Sequence, residues 1–219
     1  MSQAGRGPRI RVMIADDHSV VRQGVKQILD DTTDLELVGS ASTGEELLSR
    51  AGREEWDVVV LDLSLPGRGG LETLKELKAR CPRLPVLILT MHAEDQFAVR
   101  ALRAGAAGFL NKAGASDELV TALRKLYSGG RYLTAAVAEK LAEHLDAHGQ
   151  QSPHESLSDR ELQVLCLIAE GNTVKQIAEK LFLSANTVST YRARILTKMA
   201  LKTNAELTRY AIVNHLVGS

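Results

Sequence analysis

Short apolar segments rich in β-branched residues alternate with amphipathic helical patterns through the first 130 residues, and this alternation restricts the fold more than any other feature. Continuous apolar strands need cover on both faces, and strands that are joined through helices run parallel. The pattern therefore predicts an α/β fold, a five-stranded parallel doubly wound sheet with five helices. The predicted strands are 10–15, 35–40, 57–61, 85–90 and 107–110, and the predicted helices are 20–29, 45–50, 71–79, 95–104 and 117–127.

The alternation stops at the Gly-Gly pair at 129–130, and only helical patterns follow it. Residues 134–148 favour a helix, whereas the polar segment GQQSPHES at 149–156 has no hydrophobic periodicity and indicates a linker. We therefore expect two domains, the second of them small and all-α. The predicted limits are 9–130 for the α/β domain, 131–155 for a helical and polar linker, and 156–219 for the all-α domain.

The net charge of zero, from 27 basic and 27 acidic residues, conceals an asymmetry along the chain. From Thr173 onward seven basic residues face two acidic ones, which leaves this segment at +5 and the remainder at −5. A basic end on an acidic body favours a polyanionic partner, with nucleic acid first, although a solvated helical face would explain the charge equally well.

Two cysteines, Cys81 and Cys166, occur without the C-x-x-C spacing of a metal or redox site. This usage fits a reducing compartment, and no apolar run approaches the roughly 20 residues that span a bilayer. We expect a soluble cytoplasmic protein with no membrane partner.

Polar residues follow or end four of the predicted strands. Asp16 and Asp17 follow the first strand, Asp62 follows the third, Thr90 ends the fourth, and Lys112 follows the fifth. Ligands of parallel α/β sheets bind outside the carboxyl ends of the strands, so these side chains should meet at one rim. Clustered carboxylates need a cation, and hard oxygen ligands suit Mg²⁺. A carboxylate there can attack phosphorus while a lysine neutralises the transferred charge.

Each of these residues alone is more simply explained as a helix cap or a surface group. Asp16 and Asp17, for example, precede a predicted helix and could cap it. Only the joint placement at the ends of several strands predicts a site for phosphoryl transfer.

Four motifs, IADDH (14–18), VVVLDLSLPGRGGLE (58–72), LTMHAED (89–95) and AGAAGFLNKAG (104–114), resemble the receiver domain of two-component response regulators. The resemblance covers about residues 9–130, with the motifs in order and suitably separated. It implies that Asp62 accepts a phosphoryl group from a sensor histidine kinase. It also implies a Mg²⁺ ion held by Asp16, Asp17, Asp62 and the main-chain carbonyl of Ser64.

The resemblance further implies a switch in which Thr90 moves its hydroxyl toward the phosphate, Phe109 repacks and Lys112 pairs with the phosphoryl group. Three residues differ from the usual receiver pattern, and the first is Leu65, which stands where a methionine is usual before Pro66. Phe109 lacks the hydroxyl of a tyrosine, and Ala113 replaces the proline that often follows the lysine. Without proline, a cis peptide at Ala113 would cost about 3 kcal/mol.

Residues 157–199 contain three helical patterns separated by short breaks. The first pattern begins behind Ser158, and Glu161 stands three residues later, as in a capping box. A short second helix ends near Phe182, and Ser184 is a natural N-cap for the third. Two short helices joined by a tight turn predict a helix-turn-helix.

The third pattern, 185–199, carries apolar residues on one face, and short hydroxyl side chains, a methyl group and arginines on the other. Small side chains permit close approach to base edges, and the basic ones can reach phosphates. An ordinary surface helix or a protein-binding helix is the alternative, although such helices usually carry a ladder of Glu and Lys.

The pattern L-x-x-R-E-x-x-V-L-x-L-I-A-x-G, followed by I-A-x-x-L-x-L-S-x-x-T-V-S-T-Y-R, resembles the LuxR-type DNA-binding domain. Joined to a receiver, it is typical of the NarL/FixJ class, and TVSTYRARI is most similar to the subgroup of GacA, UvrY and BvgA. The resemblance implies base contacts from Ser189, Thr190 and Ala193, and dimerisation through a fourth helix near 204–215. The residues expected at double-stranded DNA are Lys175, Thr187, Ser189, Thr190, Arg192, Ala193, Arg194 and Lys198.

The sequence thus predicts a homodimeric transcription factor in which phosphate on Asp62 controls DNA binding. It is not expected to be an enzyme beyond slow self-phosphorylation from small phosphodonors and autodephosphorylation. One alternative is a Mg²⁺-dependent phosphohydrolase, but haloacid-dehalogenase-type enzymes place a second aspartate where Ser64 stands. Another is an adaptor whose second domain binds a protein, which the +5 segment disfavours and which the salt dependence of binding would distinguish.

Overall fold

Five strands and five helices alternate in the N-terminal part of the computed structural model, which describes residues 9–91, 94–146, 152–214 and 216–217. The strands are β1 (Ile10–Ala15), β2 (Leu35–Ala41), β3 (Val58–Leu61), β4 (Val86–Thr90) and β5 (Gly108–Asn111). The helices are α1 (Ser19–Asp30), α2 (Gly44–Arg50), α3 (Gly70–Arg80), α4 (Glu94–Arg103) and α5 (Ala115–Tyr127). The predicted fold class is confirmed, and the element bounds differ from the predicted ones by a residue or two.

The strands form one parallel sheet in the order β2-β1-β3-β4-β5. Every residue of β3 and β4 is buried, as expected of central strands with helices on both faces. The chain leaves β1 toward β2 and then returns to the opposite side of β1 to form β3, so the strand order reverses there. In open α/β sheets such a reversal opens a crevice at the carboxyl ends of the two strands, where ligands bind.

The C-terminal part of the described chain contains helices and short turns. The helices are α6 (Ala135–Asp146), α7 (Asp159–Ala169), α8 (Val174–Leu181), α9 (Ala185–Lys198) and α10 (Asn204–Val213). The chain divides into two compact units, residues 1–137 and 138–219. The domain limits predicted from the sequence stay predictions, because part of the proposed linker, residues 147–151, lies outside the described chain.

Local sequence signals start and end the helices of the second unit. Ser158 caps α7 by accepting the N–H of Glu161, whose carboxylate accepts the N–H of Ser158, so the capping box is present as predicted. Ser184 caps α9 by accepting the N–H of Thr187. Phe182 ends α8 in the left-handed conformation, with a φ of 53°, and turns the chain toward α9.

The apolar faces of these helices supply the core of the second unit. Leu162 and Leu165 of α7, Ile177 of α8, and Val188 and Ile195 of α9 are all fully buried. Within the described chain, no helix combines the length and the apolar character that crossing a bilayer requires.

Candidate functional site

Three carboxylates meet at the reversal of strand order. Asp16 and Asp17 follow β1, and Asp62 follows β3, its paired neighbour. Asp16 and Asp62 are each only 1% exposed. Donor atoms from these three residues and from the His18 ring all lie within 4.8 Å of one another. The predicted convergence of carboxylates at one rim is therefore present in the structure.

Lys112 reaches this cluster from the end of β5. Its Nζ lies 2.6 Å from Asp62 Oδ2 and 2.7 Å from Asp16 Oδ2, and its side chain is 7% exposed. Burial alone would lower the pKa of Lys112, but the charges and hydrogen bonds of Asp62 and Asp16 hold it above the usual value. Burial also raises the pKa of Asp16, by more than the hydrogen bond from Lys112 lowers it. The single positive charge of Lys112 is therefore paired with two buried carboxyl groups.

Thr90 ends β4, the strand between those that lead to Asp62 and Lys112, and Phe109 lies on β5, which leads to Lys112. Thr90 is the last residue of β4, next to β3, and pairs with Asn111 of β5. Both Thr90 and Phe109 are fully buried. The predicted switch residues therefore belong to the strands whose ends form the site. All peptide bonds among the described residues are trans, including the one that follows Lys112.

The loop after Asp62 shapes the site through its backbone. The N–H of Ser64 donates a hydrogen bond of 3.0 Å to Asp62 Oδ1, which orients the carboxylate. Helix α3 begins directly beneath this loop at Gly70, where an added Cβ would lie 2.1 Å from the carbonyl oxygen of Asp62. Only glycine allows this close approach. Gly70 was not predicted as a site residue, although the Gly-Gly pair at 69–70 was a signal for it.

His18 is a second residue at the site that was not predicted. Its Nδ1 lies 2.8 Å from Asp17 Oδ1 and 3.3 Å from Asp16 Oδ1. Nothing about the residue type alone indicates that the ring turns toward the carboxylates.

The donor set fits a divalent cation that takes oxygen ligands. Three carboxylates supply hard oxygen atoms at one place, and a single lysine balances only part of their charge. Asp17 Oδ1 is buried, and apart from the ion-pair contact with His18 Nδ1 it accepts no hydrogen bond from the described residues. A buried carboxylate oxygen without a hydrogen bond is unfavourable unless a cation binds it.

A separate polar surface lies on α9 in the second unit. Ser189, Thr190, Ala193 and Arg194 are exposed, and they lie on one side of the helix. The hydroxyl of Thr190 donates to the carbonyl of Asn186 one turn earlier, so it does not project freely. Even so, the exposure of these side chains leaves the predicted face of small hydroxyl and methyl groups open to a partner.

The other predicted DNA-binding residues are placed differently. Lys175 is exposed at the start of α8, and Thr187 is half-buried in the first turn of α9. Half-buried Arg192 donates from Nε to Asn204 Oδ1 at 2.5 Å, a contact that joins α9 to α10.

Lys198, the last residue of α9, forms an ion pair that sequence reasoning missed. Its Nζ lies 2.6 Å from Oε2 of Glu161, whose side chain is 4% exposed. Burial would raise the pKa of Glu161, but the hydrogen bonds from Lys198 and Ser158 hold it below its usual range. Lys198 therefore connects α9 to the start of α7.

Two family models match the chain. Residues 12–124 match the response regulator receiver domain, and residues 155–211 match the luxR family of bacterial regulatory proteins. Response regulator UvrY of Escherichia coli (strain K12) is 39% identical over 204 residues, which cover 93% of this chain and 94% of UvrY. Response regulator GacA of Pseudomonas aeruginosa is 38% identical over 209 residues, covering 95% of this chain and 98% of GacA.

The chain is also similar to solved structures of a response regulator. The response regulator RcsB of Salmonella typhimurium aligns with a TM-score of 0.59 and 28% identity, over 94% of this chain and all of RcsB. A complex of RcsB with DNA aligns with a TM-score of 0.58 and 29% identity, over 92% of this chain and 97% of RcsB. Both domains of the present chain thus have structural counterparts in one protein.

Proposed function

This chain belongs to the response regulators that join a receiver domain to a LuxR-type helix-turn-helix, and we propose that Asp62 is the residue through which phosphorylation controls its binding to DNA. It is a DNA-binding regulator of transcription. The observation that carries the assignment of Asp62 is the contact of its buried carboxylate with Lys112 Nζ, at 2.6 Å.

In the proposed reaction, a carboxylate oxygen of Asp62 attacks the phosphorus of a phosphohistidine on a sensor histidine kinase. The P–N bond breaks, an acyl phosphate forms, and the imidazole of the kinase leaves. Lys112 holds a positive charge beside the oxygens that receive the new negative charge. The Ser64 N–H keeps the carboxylate in one orientation during the approach.

We assign the oxygen-donor set to Mg²⁺. The proposed ligands are Asp16, Asp17, Asp62 and the main-chain carbonyl of Ser64. The ion, when bound, would neutralise the phosphoryl oxygens. The convergence of the three carboxylates, with donor atoms within 4.8 Å of one another, supports this assignment.

For the switch we propose that the Thr90 hydroxyl turns toward the phosphoryl group and that Phe109 repacks into the space released. Both side chains are fully buried, so a change at either one must alter its packing. Ile88 of β4 pairs with Phe109 of β5. A movement of Thr90 at the end of β4 would therefore also displace residues of β5.

At DNA, we propose that Ser189, Thr190 and Ala193 meet base edges in the major groove. The predicted phosphate contacts are Arg192, Arg194 and Lys198, and Lys175 and Thr187 are further residues proposed to lie at the DNA. The exposure of the hydroxyl and methyl face of α9 supports base contacts, and the basic charge of the segment supports phosphate contacts.

The binding form is proposed to be a homodimer, with α10 as a contact. Ile212 and Val213 on this helix are 49% and 67% exposed, which is unusual for adjacent aliphatic residues and suits an interface. We propose no turnover beyond slow self-phosphorylation from small phosphodonors and autodephosphorylation. Cys81 and Cys166 form no disulfide, which supports a reducing location such as the cytoplasm.

The test is DNA binding of the full-length protein, measured by fluorescence anisotropy on a fragment that the protein selects from a random-sequence library. Wild type, Asp62→Ala and the control Asp31→Ala, an exposed aspartate, are compared with and without a small phosphodonor and Mg²⁺. We expect the donor to tighten binding by wild type and Asp31→Ala but not by Asp62→Ala. Equal tightening in all three proteins would show that Asp62 is not the acceptor.

The same titrations at rising salt separate DNA binding from the adaptor alternative. Phosphate contacts release counterions, so the affinity should fall steeply as salt increases. An affinity for DNA that does not change with salt would contradict the DNA-binding assignment of α9.

A further inference from the structure

The chain that leaves α5 returns to the sheet and adds one short piece to it, residues 131–134, which we call the edge segment. Gly129, with a φ of 84°, turns the chain behind α5. The N–H of Phe109 then donates to the carbonyl oxygen of Tyr132 at 3.0 Å, and the N–H of Tyr132 donates to the carbonyl oxygen of Ala107 at 3.1 Å. Tyr132 pairs in parallel with Gly108, so the outer edge of β5, the last strand of the sheet, is covered at this point.

The side chain of Tyr132 also attaches the edge segment to the first unit. Its hydroxyl donates a hydrogen bond of 2.7 Å to Oε2 of Glu118 on α5. Its ring packs against the apolar core that the strands share with α5, and Nζ of Lys125 lies 5.7 Å from the ring centroid. Tyr132 is therefore held through its main chain and its side chain together.

Gly108 makes room for this contact. A Cβ at this position would lie 2.9 Å from the carbonyl oxygen of Tyr132 and 2.9 Å from Cδ1 of Leu87. Glycine inside a strand often marks a place where another backbone approaches closely, and here that backbone is the edge segment.

The edge segment is bonded to the proposed switch residue itself. Phe109 pairs with Ile88 of β4 on the inner side of β5 and donates its N–H to Tyr132 on the outer side. The Phe109 side chain is fully buried, so a repacking that moves its main chain must strain one of these two connections. Helix α6 begins at Ala135, three residues after Tyr132, and continues past residue 137, the last of the first unit. A displacement at Phe109 therefore reaches the start of the helix that leads to the second unit.

We propose that Tyr132 is a positioning residue that holds the edge segment on β5 in the unphosphorylated protein and releases it when Phe109 repacks. The released segment loosens the start of α6 and allows the second unit to bind DNA. This inference rests on the proposed function, in which phosphate on Asp62 repacks Phe109. Two main-chain hydrogen bonds and one side-chain hydrogen bond hold Tyr132. Each such bond contributes modestly to stability, so a small movement of β5 is enough to shift the equilibrium between the held and the released segment.

Protection of the sheet edge is the simpler role of this segment, because an exposed edge invites pairing with other chains. That role affects stability and solubility alone. Release predicts in addition that loosening Tyr132 raises the affinity for DNA without any phosphate. The two roles therefore differ in a measurement on the unphosphorylated protein.

The test is the affinity of the full-length protein for its selected DNA fragment, measured by anisotropy with and without acetyl phosphate and Mg²⁺. Tyr132→Phe removes the hydrogen bond to Glu118, and Tyr132→Ala removes the ring as well. Tyr127→Ala, at a tyrosine of α5 that is 53% exposed, is the matched control. Gel electrophoresis that retards phosphoproteins gives the phosphorylated fraction of each protein, and thermal unfolding midpoints show whether each variant is folded.

We expect acetyl phosphate to tighten DNA binding by wild type and Tyr127→Ala by about fivefold or more. Without the donor, Tyr132→Ala should already bind DNA within about twofold of phosphorylated wild type, and the donor should add little. Tyr132→Phe should lie between the two. Hydrogen exchange on wild type is a second measurement that needs no variant, and phosphorylation should speed the exchange of the Phe109 and Tyr132 amides together.

Three results would overturn the inference, and they differ in what they mean for the proposed function. If both Tyr132 variants match wild type with and without the donor, the edge segment only covers the sheet, and the proposed function stands. If Tyr132→Ala keeps the wild-type affinity without the donor and gains nothing with it, the segment must stay attached to transmit the signal, and release is wrong. If the donor changes the affinity of no protein, wild type included, the proposed function fails and the inference fails with it. Should Tyr132→Ala not fold, Tyr132→Phe and the exchange of the two amides in wild type decide.

Discussion

Replacing Lys198 with methionine would separate two roles that the structure and the sequence suggest for this residue. The sequence predicts a phosphate contact, whereas the structure places Nζ 2.6 Å from Glu161 Oε2. Methionine keeps most of the length and apolar volume of the lysine but removes its charge. The Glu161 side chain, 4% exposed, would then be a nearly buried carboxylate without its cation.

The size of the loss follows from the burial of the two partners. Removing one partner of a fully buried ion pair costs about 3–5 kcal/mol. Lys198 is 41% exposed, and Glu161 keeps the N–H of Ser158, so solvent and the capping bond compensate part of the loss. We therefore expect Lys198→Met to lower the free energy of unfolding of the C-terminal unit by about 1–2 kcal/mol. In a unit of this size each kcal/mol lowers the unfolding midpoint by about 4–8 °C.

Two measurements on the full-length protein decide between the roles. Differential scanning calorimetry gives the midpoint of the C-terminal unit, and anisotropy gives the dependence of DNA affinity on salt. Lys180→Met, at an exposed lysine of α8, is the matched control. If the ion pair dominates, Lys198→Met lowers the midpoint while the slope of log affinity against log salt is unchanged.

The opposite pattern would refute this reasoning. A midpoint equal to that of the control, with a slope reduced by about 0.9, would show that Lys198 mainly contacts a phosphate. The contact with Glu161 would then contribute little to stability.

Three further changes have clear expectations. Gly70→Ala forces a Cβ to within 2.1 Å of the carbonyl of Asp62, so urea unfolding should show a loss of about 1–3 kcal/mol and weaker Mg²⁺ binding. Unchanged values for both would show that α3 can shift freely. Glu161 has a lowered pKa in the folded protein, so its contribution to stability is complete above its unfolded pKa of about 4.3 and disappears as pH falls through the lower folded value. Between pH 5 and 3, wild type should therefore lose more stability than Glu161→Gln in urea titrations, and parallel losses would contradict this. Ala200→Gly removes a side chain at a φ of 54° just past α9 and should raise the melting midpoint by the equivalent of about 1 kcal/mol, whereas a lower midpoint would show that no strain is present.

Much of the site could be predicted from the sequence because the relevant information is local. Strands are recognisable as short apolar runs, and parallel strands bring their carboxyl ends to one edge. Asp16, Asp17, Asp62 and Lys112 could therefore be placed together without knowledge of any long-range contact. The Ser158–Glu161 capping box was predictable for the same reason, since it depends on a spacing of three residues.

Contacts between elements depended on the tertiary structure. The partner of Lys198 is 37 residues away in sequence, and the partner of Arg192 is in the next helix. Periodicity marks both residues as outward-facing but does not show which neighbouring helix lies beside them. The sequence by itself determined which residues face the core and which end a strand. The structure decided which outward side chains meet, the turn of the His18 ring toward the carboxylates and the need for Gly70 behind Asp62, because these depend on how separate elements pack at distances of a few ångströms.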